Sequence, residues 1–276
     1  MSGLRVEALS FAYADAPVLR GVSFGAPPAG VTALIGPNAA GKSTLFKCIA
    51  GLLAGRGKVE VDGRPLAAMD RAEVNRTVAY LPQENPTAAV LTVFEAVLLA
   101  RQHAGSWRVA DDDLTRVAAA LEDLGIADLA LRYLNELSGG QKQLVSIAQA
   151  LVRAPRVLLM DEPTSSLDLQ RQLEVLGLIR RIARERGVTV VVALHDLNLA
   201  ARHADRVLVL DGGVLRAAGS PADVLTPATI LDVYGVEARV DLDAEGVPVV
   251  TALRPARDPR ALGGYLCQLS RPQETN

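Results

Sequence analysis

Lysine is nearly missing from this 276-residue chain: Lys42, Lys47, Lys58 and Lys142 are the only four, leaving 25 of the 29 basic residues as arginine. Against that background a lysine inside a glycine-rich loop stands out. An excess of charge is missing too. The 29 basic and 31 acidic residues leave a net charge of −2, so the surface has no general attraction for nucleic acid or anionic lipid. The two cysteines, Cys48 and Cys267, are too few and too far apart for a disulfide framework or a zinc site. Cys48, set among apolar residues, reads as a buried small hydrophobe. The N-terminus starts with polar and charged residues and carries no signal-peptide pattern. No apolar run is long enough to cross a bilayer: the most apolar stretch, Ala88 to Ala100, is broken by Thr92 and Glu95. These absences argue against a secreted disulfide scaffold, a membrane-spanning protein and a basic nucleic-acid binder. They favour a reducing cytoplasm, with any membrane contact peripheral.

What is present is enough apolar residue, 50% of the chain, to bury a large core. Leu4, Val6 and Ala8 alternate with polar residues, as do Val59 and Val61 before the turn signal Asp62-Gly63, which predicts a β-rich start. Four short unbroken apolar runs follow: Val31–Ile35, Val157–Met160, Val188–Leu194 and Val207–Leu210. Strands buried on both faces of a parallel sheet read this way. A helical stretch at Gln172–Arg186, with Leu173, Leu176, Ile179 and Ile182 spaced by three, lies between two of them, and the pattern predicts an α/β fold. From Gln83 to Arg153 the character turns helical, clearest at Asp111–Leu124 and Leu144–Val152. This predicts a helical subdomain over about residues 84–153, inserted into a domain of residues 1–240. Residues 241–276 read as a hairpin around Ala244-Glu245-Gly246, loop-like from about Arg254, with a tail. There is no internal repeat.

The chemistry starts at Gly36-Pro37-Asn38-Ala39-Ala40-Gly41-Lys42-Ser43-Thr44, which fits the phosphate-loop pattern of two glycines five apart followed by Lys-Ser. A strand enters it and a helix leaves it. Consecutive backbone N–H groups and a helix N-terminus suit phosphate oxygens. Gly41 admits a close approach, Lys42 faces the β- and γ-phosphates, and Ser43 ligates Mg²⁺. The bland alternative is a glycine turn before a core helix. Val157–Met160 ends in Asp161-Glu162, two carboxylates at the sheet edge where ligands bind. Asp161 suits Mg²⁺, and Glu162 suits an attacking water. Alone this is a common strand end; with the loop it becomes a site. Leu137-Ser138-Gly139-Gly140-Gln141 precedes a helix, with Ser138 and Gln141 spaced as a capping box. Two glycines at a helix N-terminus equally suit a phosphate, and spacing leaves both readings open. His195 follows a strand at the same edge as Asp161, within reach of a γ-phosphate, although a lone histidine is more often structural. His103 and His203 have no such position.

Together these residues resemble an ABC transporter nucleotide-binding subunit, over roughly residues 3 to 240. The resemblance implies an ATP-hydrolysing P-loop NTPase core with an N-terminal antiparallel β-subdomain and an inserted helical subdomain. It implies a composite site in a homodimer, each ATP and Mg²⁺ held between one chain's phosphate loop and the partner's signature, Leu137 to Gln141. Ser138, Gly139, Gly140 and Gln141 would then act across the interface. Tyr13 resembles the adenine-stacking residue, with Phe11 as its alternative and a surface tyrosine as the plainer reading. Gln83, in Tyr80-Leu81-Pro82-Gln83, is similar to the glutamine that touches Mg²⁺ and water and relays to the membrane partner. Ser165-Ser166-Leu167-Asp168 resembles the D-loop, with Ser166 a mild departure, and His195-Asp196 the switch histidine. A larger departure is Ala39, where many members carry glycine. If the position needs a positive φ, alanine strains the loop by about 1–2 kcal/mol; some iron-siderophore importers carry alanine there, which implies tolerance.

Leu91 to Leu99, His195 to Ala200 and the hairpin after Tyr234-Gly235-Val236 are similar to ATPases of ferric-siderophore, haem and cobalamin importers. The resemblance thus implies polytopic permease subunits and an extracytoplasmic substrate-binding protein as partners, no nucleic acid, and a peripheral place on the cytoplasmic face of the membrane. Import of another solute is an alternative. A soluble ABC protein of DNA repair or the ribosome is a second; such proteins fuse two ATPase halves or insert long coiled coils, and neither is evident here. An unrelated phosphate-loop kinase would lack the intact Leu-Ser-Gly-Gly-Gln.

Overall fold

The computed structural model describes residues 3–83, 90–101, 110–165 and 167–256. Expectations that fall on His103, Ser166, Cys267, the 84–89 and 102–109 parts of the expected helical insert, and the tail after 256 lie outside the described residues.

Strands β1 (Leu4–Tyr13) and β2 (Ala16–Ala26) open the chain as an antiparallel pair. Leu4 and Val6 are buried as their alternation predicts, but Ala8 is exposed and Leu9 is buried instead. A bulge is the cause. The register slips between Val6 and Leu9, and Ala8 has φ of 49°; the extra residue reverses which side chains face the core. After β3 (Val31–Ile35) and α1 (Lys42–Ile49), β4 (Arg56–Val61) and β5 (Arg64–Pro65) complete a four-stranded antiparallel sheet ordered β2-β1-β4-β5.

Helix α2 (Arg71–Thr77) leads to β6 (Val78–Leu81), a four-residue strand the sequence did not announce. Helices α3 (Val93–Arg101), α4 (Asp111–Asp123) and α5 (Gly139–Leu151) precede β7 (Val157–Asp161). Then come α6 (Leu169–Arg186), β8 (Thr189–Ala193), α7 (Leu197–His203), β9 (Arg206–Asp211) and β10 (Val214–Gly219). Two short helices, α8 (Pro221–Val224) and α9 (Pro227–Tyr234), end in a hairpin of β11 (Val236–Leu242) and β12 (Pro248–Pro255). The expected hairpin is present, though β12 carries the extended backbone one residue past Arg254. Helices α5 and α6 start earlier than their apolar spacing suggests, because Ser138 and Asp168 cap them upstream, accepting from the N–H groups of Gln141 and Arg171.

The expected α/β core is a six-stranded sheet ordered β10-β9-β3-β8-β7-β6, parallel except for the β9–β10 pair. Its strands lie between two apolar cores. Val190, Val192, Val207 and Val209 face one, shared with α3 to α7; Val191, Ala193, Leu208 and Leu210 face the other, shared with α1 and the antiparallel sheet. Burial on both faces explains the unbroken apolar runs. It also leaves the strand ends as the place where polar side chains can gather.

Candidate ATP site

Strand β3 ends in the phosphate loop, and sterics dictate two of its residues. A Cβ on Gly36 would lie 1.9 Å from the carbonyl oxygen of Leu210 on β9, and Gly41 sits at φ of 103° against Val18 and Leu19. Gly36 admits no side chain without moving backbone, and at Gly41 the φ alone strains any other residue. Gly41 is the N-cap of α1 yet supplies no side-chain hydrogen bond, and the first turn holds no acidic residue. The helix start is therefore left to an outside acceptor, which suits a phosphate. Lys42 is 6% exposed as a residue, and its ammonium donates to the carbonyls of Gly36 (2.8 Å) and Pro37 (3.1 Å). Burial pulls its pKa below the ordinary lysine value, and the charges of Glu162 and Asp161 oppose that shift.

Ala39 does occupy the left-handed region, with φ of 60°. The strain of about 1–2 kcal/mol that this conformation costs a non-glycine residue is offset by roughly 0.5–1 kcal/mol, because glycine loses more chain entropy on folding. Ala39→Gly is therefore expected to stabilise the chain by no more than about 1.5 kcal/mol and to change nucleotide affinity less than about fivefold. Thermal unfolding and nucleotide titration check both; a gain of tenfold or more in affinity would mean that alanine distorts the loop.

Opposite the loop, β7 delivers Asp161 and Glu162. Asp161 is 4% exposed. One of its oxygens accepts from the Tyr80 hydroxyl (3.2 Å) and the other has no partner among the described residues. Burial first, then Asp161, pushes the Tyr80 phenol well above the tyrosine range, so it stays a donor. Glu162 has φ of 51°, a strained conformation that tends to occur at functional sites. Its Oε1 pairs with Nε2 of His195, which follows β8. Gln83 is exposed just beyond β6, the strand paired with β7. Loop, carboxylates, histidine and glutamine thus gather at one edge of the sheet because their strands are parallel neighbours.

The other candidate residues have local partners of their own. Ser138 and Gln141 form the full capping box, with Ser138 N–H donating to Gln141 Oε1 (3.0 Å) and Gln141 N–H to Ser138 Oγ (3.3 Å). The nearest neighbours of Gly140 are Leu167 and Arg171, and Asp168 caps α6. Tyr13 is half exposed at the end of β1, edge-on to Phe11 at 4.8 Å. His203 is half-buried at the end of α7; burial lowers its pKa. Cys48 is buried and its thiol is pushed up to about 11 by that burial, as expected of an inert small hydrophobe. Nothing in the residue pattern announces the hydroxyl of Tyr80 on Asp161, which depends on β6 lying beside β7.

A phosphate loop on a central parallel strand, facing an acidic strand end and a histidine, defines a phosphate-loop nucleoside triphosphatase. Comparison with known proteins narrows the class. A family model described as ABC transporter matches residues 19–165. The ABC transporter ATP-binding protein MJ0089 of Methanocaldococcus jannaschii is 41% identical over 251 residues, covering 91% of this chain and 98% of that protein. The iron(3+)-hydroxamate import ATP-binding protein FhuC of Bacillus subtilis is 36% identical (88% and 91% covered), and the hemin import ATP-binding protein HmuV of Deinococcus radiodurans 42% (86% and 92% covered). Among solved structures, an ABC transporter in an inward-facing conformation matches with a TM-score of 0.79 at 27% identity, covering 92% of this chain and 98% of that one. The chain belongs to the ABC transporter ATP-binding family, and it is an ATPase.

Proposed function

We propose that this chain hydrolyses ATP to power a membrane importer for an iron-siderophore, haem or cobalamin class of substrate. Relatives named for hydroxamate, hemin and achromobactin transport support that substrate class. The observation that carries the chemistry is the convergence of Lys42, Asp161, Glu162 and His195 at one sheet edge, with Glu162 and His195 already in contact. In this reading Glu162 orients and deprotonates the attacking water, His195 and Gln83 position it, and Lys42 with the backbone from Gly36 to Thr44 holds the phosphates. Tyr13 stacks on adenine. The unpartnered buried oxygen of Asp161 and the exposed hydroxyl of Ser43 fit a magnesium site, completed by Gln83; when bound, Mg²⁺ neutralises phosphate charge.

No helix among the described residues is long and apolar enough to cross a membrane. In this reading separate permease subunits span the membrane and hold this chain at its cytoplasmic face. An extracytoplasmic protein would deliver the substrate. A groove of about 360 Å³ beside Gln83, lined by Tyr80, Pro82, Leu99, Gln149 and Arg153, suits a short permease segment. Leu99 is 60% exposed at its rim. Leu99→Asp is expected to lower permease co-purification at least about tenfold, because it sets an unpaired charge in an apolar contact, with ATP affinity unchanged. Recovery of nucleic acid or ribosomes, with no polytopic membrane protein, would overturn the transport reading.

A further inference from the structure

The hairpin of β11 and β12 is a two-stranded sheet bonded to no other described strand. Such a ribbon is marginal alone, so what it docks on matters. It docks on α7. The Asn198 carboxamide donates to the Val250 carbonyl (3.2 Å) and accepts from the Val250 N–H (2.7 Å), so one side chain mimics the peptide of a neighbouring strand. One turn later, Arg202 pairs with Asp243 and with Glu245 at the hairpin turn. Asp243 also accepts from the N–H groups of Glu245 and Val247, both at 2.9 Å, which fixes that turn.

Helix α7 begins two residues after His195. Asp196 caps it, with Oδ1 accepting from the N–H groups of Asn198 (2.7 Å) and Leu199 (3.0 Å). Seven residues make a helix too short to hold its own first turn. Its inner face is fixed by buried Leu199, Ala200 and Ala201, and its outer face by the hairpin. At the base of the hairpin, Tyr234 packs against the same apolar core that buries Leu199, Ala200 and Ala201 of α7. The hairpin therefore holds, from its outer side, the helix that follows His195.

We propose that the C-terminal hairpin sets the position of His195 against Glu162, and that Asn198 is the positioning residue that transmits it. This rests on the reading of His195 as part of the hydrolytic machinery. Asn198 touches neither nucleotide nor water in this account; it holds the helix that carries the histidine. A displacement on the order of 1 Å at such a group costs about a hundredfold in rate.

The test compares Asn198→Ala, Asn198→Asp, Arg202→Ala and His195→Ala in the full-length chain, assayed for ATP hydrolysis and ATP affinity. Asn198→Ala is expected to lower kcat by about 10- to 100-fold while the Kd for ATP stays within about twofold. Asn198→Asp keeps the acceptor for the Val250 N–H but sets a carboxylate against the Val250 carbonyl, so it too is expected to lower kcat, with the Kd for ATP again within about twofold. The NMR titration of the His195 imidazole is expected to move in both, a change that a general loss of stability would not produce. Wild-type kcat in Asn198→Ala, with amide exchange at Val250 showing the clamp released, overturns the proposal. If Asn198→Ala does not fold, Asn198→Asp and Arg202→Ala carry the same comparison, and an unmoved kcat and histidine titration in both overturns it. Normal hydrolysis by His195→Ala would instead remove the reading of His195, so the two failures are distinguishable.

Discussion

Replacing Glu162 with glutamine is expected to leave ATP binding within about twofold and to lower turnover by roughly 10²–10⁴-fold, the range a general base contributes. Glutamine is nearly isosteric, so it preserves the packing of a side chain that is mostly buried beside the phosphate loop. It also keeps an oxygen that can accept from His195. What it loses is the basicity to take a proton from water. The backbone at Glu162 stays in the left-handed region with either residue, so strain does not distinguish them. Removing a mostly buried negative charge also spares the fold its desolvation cost, and thermal stability is expected to hold. Single-turnover hydrolysis and nucleotide titration separate chemistry from binding. Near-normal turnover would take Glu162 out of the mechanism and shift attention to the His195 side of the pair.

The parallel sheet was legible because burial on both faces writes itself as unbroken apolar runs, and Val31–Ile35 and Val207–Leu210 could mean little else. Caps were legible too, as Ser138 and Gln141 show, since they act within one turn of chain. What sequence could not show was anything that depends on register or on distant neighbours. The bulge at Ala8 reverses a pattern that reads as regular, because the residues that accommodate it lie on β2 and β4. Gly57 faces it so closely that a Cβ would stand 2.7 Å from the Cα of Leu9. Strand β6 escaped notice because four residues carry too little pattern, although its place beside β7 brings Tyr80 to Asp161. Ala39 shows the limit from the other direction: the sequence raised the question of a positive φ, and only the backbone angle answered it. The Asn198 clamp spans 52 residues of chain and leaves no local trace.

The second large effect concerns Gly139 and Gly140, for which the fold of a single chain gives no reason. A Cβ at Gly139 would meet nothing within 4 Å, and one at Gly140 would make ordinary contact at 3.6 Å with Leu167. Neither has a positive φ. In a helix, glycine costs up to about 1 kcal/mol relative to alanine, so Gly140→Ala is expected to stabilise the isolated chain and yet impair hydrolysis. A position that gives up stability without local need fits a surface that a ligand approaches closely. Within this chain a Cβ on Gly140 would meet Leu167 and Arg171 rather than the phosphate loop, so under the proposed reading that ligand is a nucleotide held by a second chain. Lys42→Ala and Gly140→Asp are each expected to abolish hydrolysis, the first by removing the phosphate cation and the second by facing phosphate with a carboxylate. Mixed in equal amounts and allowed to exchange, half of the dimers contain one of each. Every such dimer holds one site in which Lys42 and Gly140 are both intact, so about a quarter of the wild-type sites return. Recovery of activity on mixing two inactive proteins requires the loop and the signature to come from different chains. If mixing restores nothing while native mass spectrometry shows that mixed dimers have formed, the site is complete within one chain, and the glycines need another explanation.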